Sequence, residues 1–148
     1  MELRTEIEIE APPERVWAVL TDFASYPDWN PFIASIQGDL AEGSELRVEL
    51  TPPEAGSFRF RPRLLRLIRD QELRWKGHFL LRGLFDGEHF FQLVPVDSGR
   101  TRFVHGEDFN GILVKFMGGM LTKTARGFVL MNHALRRRVL GLGLAGSA

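Results

Sequence analysis

Short stretches of alternating apolar and charged residues follow one another along most of this chain, and they constrain its fold more than any other feature. In LRTEIEIEA (3–11), one face carries the charged residues Arg4, Glu6, Glu8 and Glu10, and the opposite face carries Leu3, Thr5, Ile7 and Ile9. Because successive side chains of a strand point to opposite sides, this pattern predicts a half-buried β-strand. Six more strands are predicted near residues 33–37 (faintly), 44–51, 57–68, 72–81, 85–95 and 102–109.

Helical patterns flank this run of strands. The segment 12–20 begins with prolines and continues with apolar residues at helical spacing, and segment 21–32 predicts a second helical turn followed by an aromatic loop. From Gly111 the apolar period becomes three to four residues, so we expect one long helix with Asn110 as its N-cap. Gly118 and Gly119 would then mark a kink in its interior, or a place where bulk is excluded.

The composition is typical of a single globular domain. The chain has 148 residues and no cysteine, which excludes disulfides, thiolate nucleophiles and cysteine-based zinc sites. It has no signal-peptide pattern and no apolar run of about eighteen residues, so we expect a cytoplasmic protein without stable membrane insertion. We expect residues 1–140 to form one domain and residues 141–148 to form a flexible tail.

Acidic and basic residues are unevenly distributed, although the formal net charge is zero. Twelve acids and three bases precede Phe58, whereas six bases and no acid occur from Phe109 onward. The basic half lacks the interleaved aromatic residues of a nucleic-acid groove. We therefore expect the two halves to neutralise each other in the fold, with no nucleic-acid partner. The protein is expected to be a monomer or a homodimer.

Four motifs cover almost the whole chain: APPERVWAVLTDFASYPDWNPFI (11–33), LRWKG (73–77), FDGEHFFQLVPVDSGRTRFVHGEDFNG (85–111) and GFVLMNHALRRRV (127–139). With the order of the elements, they resemble the helix-grip superfamily of START-like domains, and within it the polyketide cyclase/dehydrase-like (SRPBCC) family. The resemblance implies an α+β fold in which a curved antiparallel sheet of about seven strands wraps around a long C-terminal helix. Two short helices would follow the first strand, and a ligand cavity would lie between sheet and helix.

Two titratable side chains, His105 and Glu107, share the apolar face of the last predicted strand. A three-residue hairpin loop at 97–99, with Gly99 in the left-handed conformation, would place His89 opposite Glu107. Side chains opposed in this way lie about 5 Å apart at Cβ, so we expect these two to form a hydrogen bond.

The neighbouring hairpin predicts space beside this pair. A loop formed by residues 82–84 would place Trp75 opposite Phe91 and Gly77 opposite His89. The missing side chain of Gly77 would then leave room on the inward face.

Three interpretations of the titratable groups stay open. They line a cavity and orient a largely apolar ligand, or they catalyse acid–base chemistry in which Glu107 raises the pKa of His89 or His105. A metal site would need two histidines and a carboxylate as a minimal set, but the further carboxylates usual around such a set are missing on this face. We therefore expect no metal and no other cofactor.

We predict that the protein binds a small hydrophobic molecule of lipid, polyketide or aromatic type. One alternative is an enzyme of cyclase/dehydrase or hydrolase type that uses His89, His105 and Glu107 as acid–base groups. Another is a lipid- or quinone-handling accessory protein that docks through its basic C-terminal half. The predicted ligand-binding residues are Trp29, Phe32, Trp75, Phe79, His89, Phe91, Phe103, His105, Glu107, Phe109, Met117, Met120, Leu121, Thr124 and Phe128.

Overall fold

The computed structural model describes residues 1–79 and 83–141, except for the side chain of Phe79, and the predicted tail beyond Gly141 lies outside the described residues. A curved antiparallel sheet faces a long C-terminal helix, which confirms the predicted α+β helix-grip fold. In chain order the elements are β1 (Glu2–Ile9), α1 (Pro13–Leu20), a 3₁₀ turn (Phe23–Ser25), α2 (Tyr26–Trp29), β2 (Ile33–Gln37), β3 (Arg47–Leu50), β4 (Phe58–Phe60), β5 (Arg63–Ile68), β6 (Glu72–Phe79), β7 (Phe85–Asp97), β8 (Arg100–Asn110), a second 3₁₀ turn (Val114–Phe116) and α3 (Gly118–Val139).

The strands form two antiparallel sheets, where about seven strands in one sheet were expected. Five strands are ordered β1-β8-β7-β6-β5, and three are ordered β2-β3-β4. The division occurs at Pro62, where the expected strand 57–68 breaks into β4 and β5. Proline cannot donate a backbone hydrogen bond, so one ladder ends there and the chain continues in the other sheet.

The β7–β8 hairpin confirms the predicted pairing of His89 with Glu107, although its turn differs from the expected one. The structure pairs Asp97 with Arg100, and Val96 is left unpaired in a bulge. Gly99 does not adopt the left-handed conformation. The Asp97 carboxylate instead holds the turn by accepting hydrogen bonds from the Gly99 amide and the Arg100 side chain. The bulge adds the one residue that the shorter turn lacks, so the inner pairs keep their predicted partners.

The predicted pairing between β6 and β7 is wrong by two residues. Trp75 lies opposite His89, and Gly77 lies opposite Gly87. β6 ends at Phe79 and β7 begins at Phe85, and Arg82 of the expected loop at 82–84 lies outside the described residues. A shift of two preserves the face of every side chain, so Trp75 still points inward. Gly77 leaves no open space, since a Cβ there would lie 3.0 Å from the ring of Phe60.

The C-terminal helix begins later than predicted. Asn110 ends β8 and is not a helix cap, and α3 starts at Gly118, so the two glycines lie in the first turn and not at a kink. Gly111 explains the break: its φ is +120°, and a Cβ there would approach the backbone oxygen of Leu84 within 2.5 Å. None of the helices in the described part of the chain combines the length and apolar composition needed to cross a membrane.

Apolar side chains between the sheets and the helices form two separate clusters. The main cluster includes Phe91, Phe103 and Phe128 and joins the large sheet to all three helices. The end cluster lies where β7 begins and β8 ends. It consists of the buried Phe85, Phe109 and Leu121 and of the half-buried Leu3, Leu113, Val114, Met117 and Met120.

Basic residues of the C-terminal half contact acidic residues of the N-terminal half. Arg136 on α3 forms an ion pair with Glu10, and Arg126 pairs with Glu54 at 2.9 Å. These contacts agree with the expectation that the two halves neutralise each other.

Candidate functional site

Three titratable side chains meet on the inward face of the large sheet. His89 lies on β7, directly opposite Glu107 on β8, and His105 lies two residues before Glu107 on the same strand. All three are buried, with 2 %, 6 % and 0 % of their surface exposed, respectively. Strand alternation places them on one face, and the register of the β7–β8 hairpin sets His89 opposite Glu107, as predicted.

Hydrogen bonds join these side chains directly. His89 Nδ1 lies 3.1 Å from Glu107 Oε1, and His89 Nε2 lies 2.8 Å from His105 Nε2. The two imidazoles therefore contact each other, and no metal ion can lie between the two Nε2 atoms. Among the described residues, no group of three or more potential ligands is arranged to hold a metal.

Two further residues extend the hydrogen-bonded chain, and sequence reasoning did not identify either as part of the site. The Oδ1 atom of Asn132, on α3, lies 2.9 Å from His105 Nδ1, and the amide nitrogen of Asn132 donates to Thr5 Oγ1 at 2.8 Å. Thr5 in turn donates to the backbone oxygen of His105 at 2.9 Å. The signal for Asn132 was its position four residues after Phe128, on the buried face of a helix, where an amide needs a partner.

Aromatic rings enclose the two histidines. Trp75 stacks on His89 with ring centroids 5.0 Å apart, and Phe128 stacks on His105 at 4.1 Å. Phe91 lies within 5 Å of both imidazoles. These side chains fill the middle of the space between sheet and helix where the sequence predicts part of a ligand cavity.

The buried environment favours the neutral forms of His89, His105 and Glu107. Burial lowers the pKa of His89 to about 3 and lowers that of His105 well below its ordinary value. Burial, with a contribution from the charge of Asp108, raises the pKa of Glu107 to about 8. The prediction that Glu107 raises a histidine pKa is therefore wrong, because a carboxyl group that is itself neutral supplies no charge to an imidazolium.

The other predicted ligand-binding residues are divided between the two clusters. Trp29 and Phe32 are buried in the main cluster together with Trp75, Phe91, Phe103 and Phe128, and the side chain of Phe79 lies outside the described part. The end cluster contains Phe109, Leu121, Met117 and Met120. Thr124 is buried, and its hydroxyl donates to the backbone oxygen of Met120. Contact of any of these residues with a ligand stays a prediction.

Comparison with known proteins agrees with this architecture. The family model described as "Polyketide cyclase / dehydrase and lipid transport" matches residues 1–139. The chain belongs to this family. No curated protein sequence matches it.

Several solved structures share the fold of this polyketide cyclase/dehydrase family member. The Zhui aromatase/cyclase from Streptomyces sp. R1128 superposes with a TM-score of 0.75 at 15% identity, covering 100% of this chain and 99% of that one. Norcoclaurine synthase from Thalictrum flavum, in complex with dopamine and hydroxybenzaldehyde, gives 0.72 at 13% identity, with coverage of 95% and 87%. A START superfamily protein from Mycobacterium smegmatis gives 0.66 at 23% identity, with coverage of 95% and 98%. These identities are low, so the likeness concerns the fold.

Proposed function

We propose that this protein binds a small hydrophobic molecule between the large sheet and α3, at the end cluster and beside Glu107. The family description, which includes lipid transport and polyketide cyclisation, supports a ligand of this chemical class. The histidine pair is packed among aromatic rings, which favours binding through apolar contact with few polar groups.

The composition of the end cluster carries this proposal. Five of its members are apolar and only half-buried, although they adjoin buried aromatic rings: Leu3, Leu113, Val114, Met117 and Met120. Methionine side chains adapt to irregular partners, and apolar groups beside a packed core gain stability when a ligand covers them.

Glu107 supplies the polar element at the border of this surface. It lies between Phe109 of the end cluster and His105 of the histidine pair, two residues along β8 in each direction. Its side chain keeps 8 % of its surface accessible, compared with 3 % for His89. A carboxyl group in this position is able to orient a ligand whose body lies against the end cluster.

Native mass spectrometry of the freshly purified protein, followed by titration with the fluorescent probe Nile red, tests the proposal. Met120→Trp would fill the proposed site and should weaken Nile red binding by about tenfold or more. Val129→Trp places the same bulk on the exposed side of α3 and should leave binding unchanged. If no ligand co-purifies and the two variants bind the probe equally, the site does not lie at the end cluster.

A second candidate function is catalysis of the cyclase/dehydrase type. The raised pKa of Glu107 favours it, because a buried carboxyl that is protonated near neutral pH is suited to act as a general acid. Glu107→Gln would then abolish turnover of a bound substrate while binding is retained. Turnover that survives this change would exclude Glu107 as the acid.

A further inference from the structure

The side-chain hydrogen bonds around the two histidines form one chain, and the backbone carbonyl at one end fixes its direction. His105 has a further hydrogen bond to the backbone of Phe128. A carbonyl oxygen only accepts, so the hydroxyl of Thr5 uses its single hydrogen to donate to the oxygen of His105 at 2.9 Å. Thr5 Oγ1 therefore acts as an acceptor toward Asn132, whose Nδ2 donates at 2.8 Å. This orients the Asn132 amide, and its oxygen faces His105.

The orientation of Asn132 determines which nitrogen of each imidazole carries a hydrogen. His105 Nδ1 lies 2.9 Å from Asn132 Oδ1 and must donate to it. A neutral imidazole has one N–H, so His105 Nε2 accepts, and His89 Nε2 donates to it at 2.8 Å. His89 Nδ1 is then an acceptor. Glu107 Oε1, at 3.1 Å, is the group that donates to it.

The surroundings of the chain keep it neutral. Phe128 and Asn132 approach it from α3, and Trp75 and Phe91 approach it from the sheet, and none of these side chains is charged. Asp108, next to Glu107 in sequence, is negatively charged and opposes ionisation of Glu107. A protonated Glu107 therefore agrees with both the direction of the chain and its electrostatic environment.

We propose that Thr5 and Asn132 act as positioning residues that make Glu107 donate a hydrogen bond to His89 through Oε1. The second carboxyl oxygen of Glu107 then remains as an acceptor for the ligand. The favoured ligand is then an uncharged apolar molecule whose polar end carries a hydroxyl or N–H group. A carboxylate is disfavoured, because it would bring its own oxygens against an acceptor. This inference on ligand class rests on the function proposed above.

Nitrogen-15 NMR of the histidine rings tests the direction of the chain without any ligand. At neutral pH, the hydrogen should reside on Nδ1 of His105 and on Nε2 of His89. Thr5→Val removes the anchor of Asn132 and should populate the second tautomer of His105. Thr122→Val is the matched control. Thr122 and Thr5 both line a surface groove of about 430 Å³ beside α3, but the hydroxyl of Thr122 donates to the backbone oxygen of Gly118. A hydrogen on Nδ1 of wild-type His89, or unchanged tautomers in Thr5→Val, would overturn the proposal.

Three probes with the same naphthalene ring and different polar groups test the ligand class: 2-naphthol, 2-methoxynaphthalene and 2-naphthoate. In isothermal titration, 2-naphthol should bind about tenfold more tightly than 2-methoxynaphthalene, and 2-naphthoate should bind most weakly. Glu107→Leu should remove the advantage of 2-naphthol, whereas Val129→Leu on the exposed side of α3 should keep it. Since Glu107→Leu also leaves His89 Nδ1 without a partner, the wild-type comparison is the decisive one if this variant does not fold.

The outcomes separate this inference from the function on which it rests. If Nile red binds but 2-naphthol has no advantage over 2-methoxynaphthalene, the ligand class is wrong while the proposed function stands. If 2-naphthoate binds as tightly as 2-naphthol, the acceptor role of Glu107 is wrong. If neither Nile red nor any naphthalene binds, both the function and the ligand class are wrong.

Discussion

Replacing Glu107 by glutamine should abolish a loss of stability that the wild-type protein shows as the pH rises above 6.5. Burial raises the pKa of Glu107 from 4.5 to about 8, so the folded protein holds a proton that the unfolded chain has already released. Unfolding therefore releases this proton, and the free energy of unfolding falls with rising pH throughout the interval from about 4.5 to 8.

The two neighbouring histidines act in the opposite direction, and mainly at lower pH. Burial lowers the pKa of His89 from 6.5 to about 3 and that of His105 well below 6.5, so unfolding takes up protons on both and stability falls as the pH decreases below 6.5. Above pH 6.5 most of that contribution is already present. One pKa unit corresponds to about 1.4 kcal/mol, so Glu107 should cost the wild-type protein about 2 kcal/mol between pH 6.5 and pH 8.

Urea unfolding followed by tryptophan fluorescence at pH 6.5 and pH 8 measures this difference. In Glu107→Gln the amide Nε2 is able to donate to His89 Nδ1, so the hydrogen bond is kept while the titration is lost. Glu14→Gln, on the exposed surface of α1, controls for the removal of one acidic group. If the wild-type protein and the Glu107→Gln variant lose equal stability over this interval, Glu107 is not protonated in the folded protein and the argument is wrong.

Two further predictions concern packing. Phe128→Ala should lower the free energy of unfolding by about 3–5 kcal/mol because the ring is fully buried, whereas Val129→Ala on the exposed side should change it by less than about 0.5 kcal/mol; equal effects in urea unfolding would contradict this. Gly106→Ala should prevent stable folding, as seen by circular dichroism, because a methyl group would lie 2.5 Å from the backbone oxygen of Leu3. Gly99→Ala is the control, with its nearest neighbour 3.9 Å away.

Strand alternation predicts which side chains share a face much better than it predicts where a strand ends. His89 and Glu107 were paired correctly because a short hairpin connects them and their spacing from its turn is small. Even the wrong turn led to the right pair, since the unpaired Val96 compensates for the shorter loop. The β6–β7 pairing was wrong because alternation is unchanged by a shift of two residues, and only the loop distinguishes the alternatives.

The start of the long helix was missed for a related reason. Apolar residues between Leu113 and Met117 have a spacing that suits a helix, but the chain makes a 3₁₀ turn there. The positive φ of Gly111 and the contact of its backbone with Leu84 decide the conformation, and both depend on the tertiary structure. Periodicity alone does not contain that information.

Asn132 and Thr5 were not assigned to the site because their role depends on contacts between distant segments. Thr5 was predicted to point inward, and the predicted helix included Asn132 without a partner. Their hydrogen bond joins residues 127 positions apart. A single sequence shows that a buried amide needs a partner, but it does not identify which strand provides that partner.

The chain of polar contacts from Thr5 to Glu107 also acts as a check on assembly. It closes only when β1, β7, β8 and α3 are all in their native positions, and a strand displaced by one residue would leave a buried imidazole or amide unsatisfied. Apolar side chains can pack in many approximate arrangements, whereas these donors and acceptors are all satisfied in only one arrangement. Misassembled compact states should therefore contain a buried polar group without a partner at this point, at a cost in free energy.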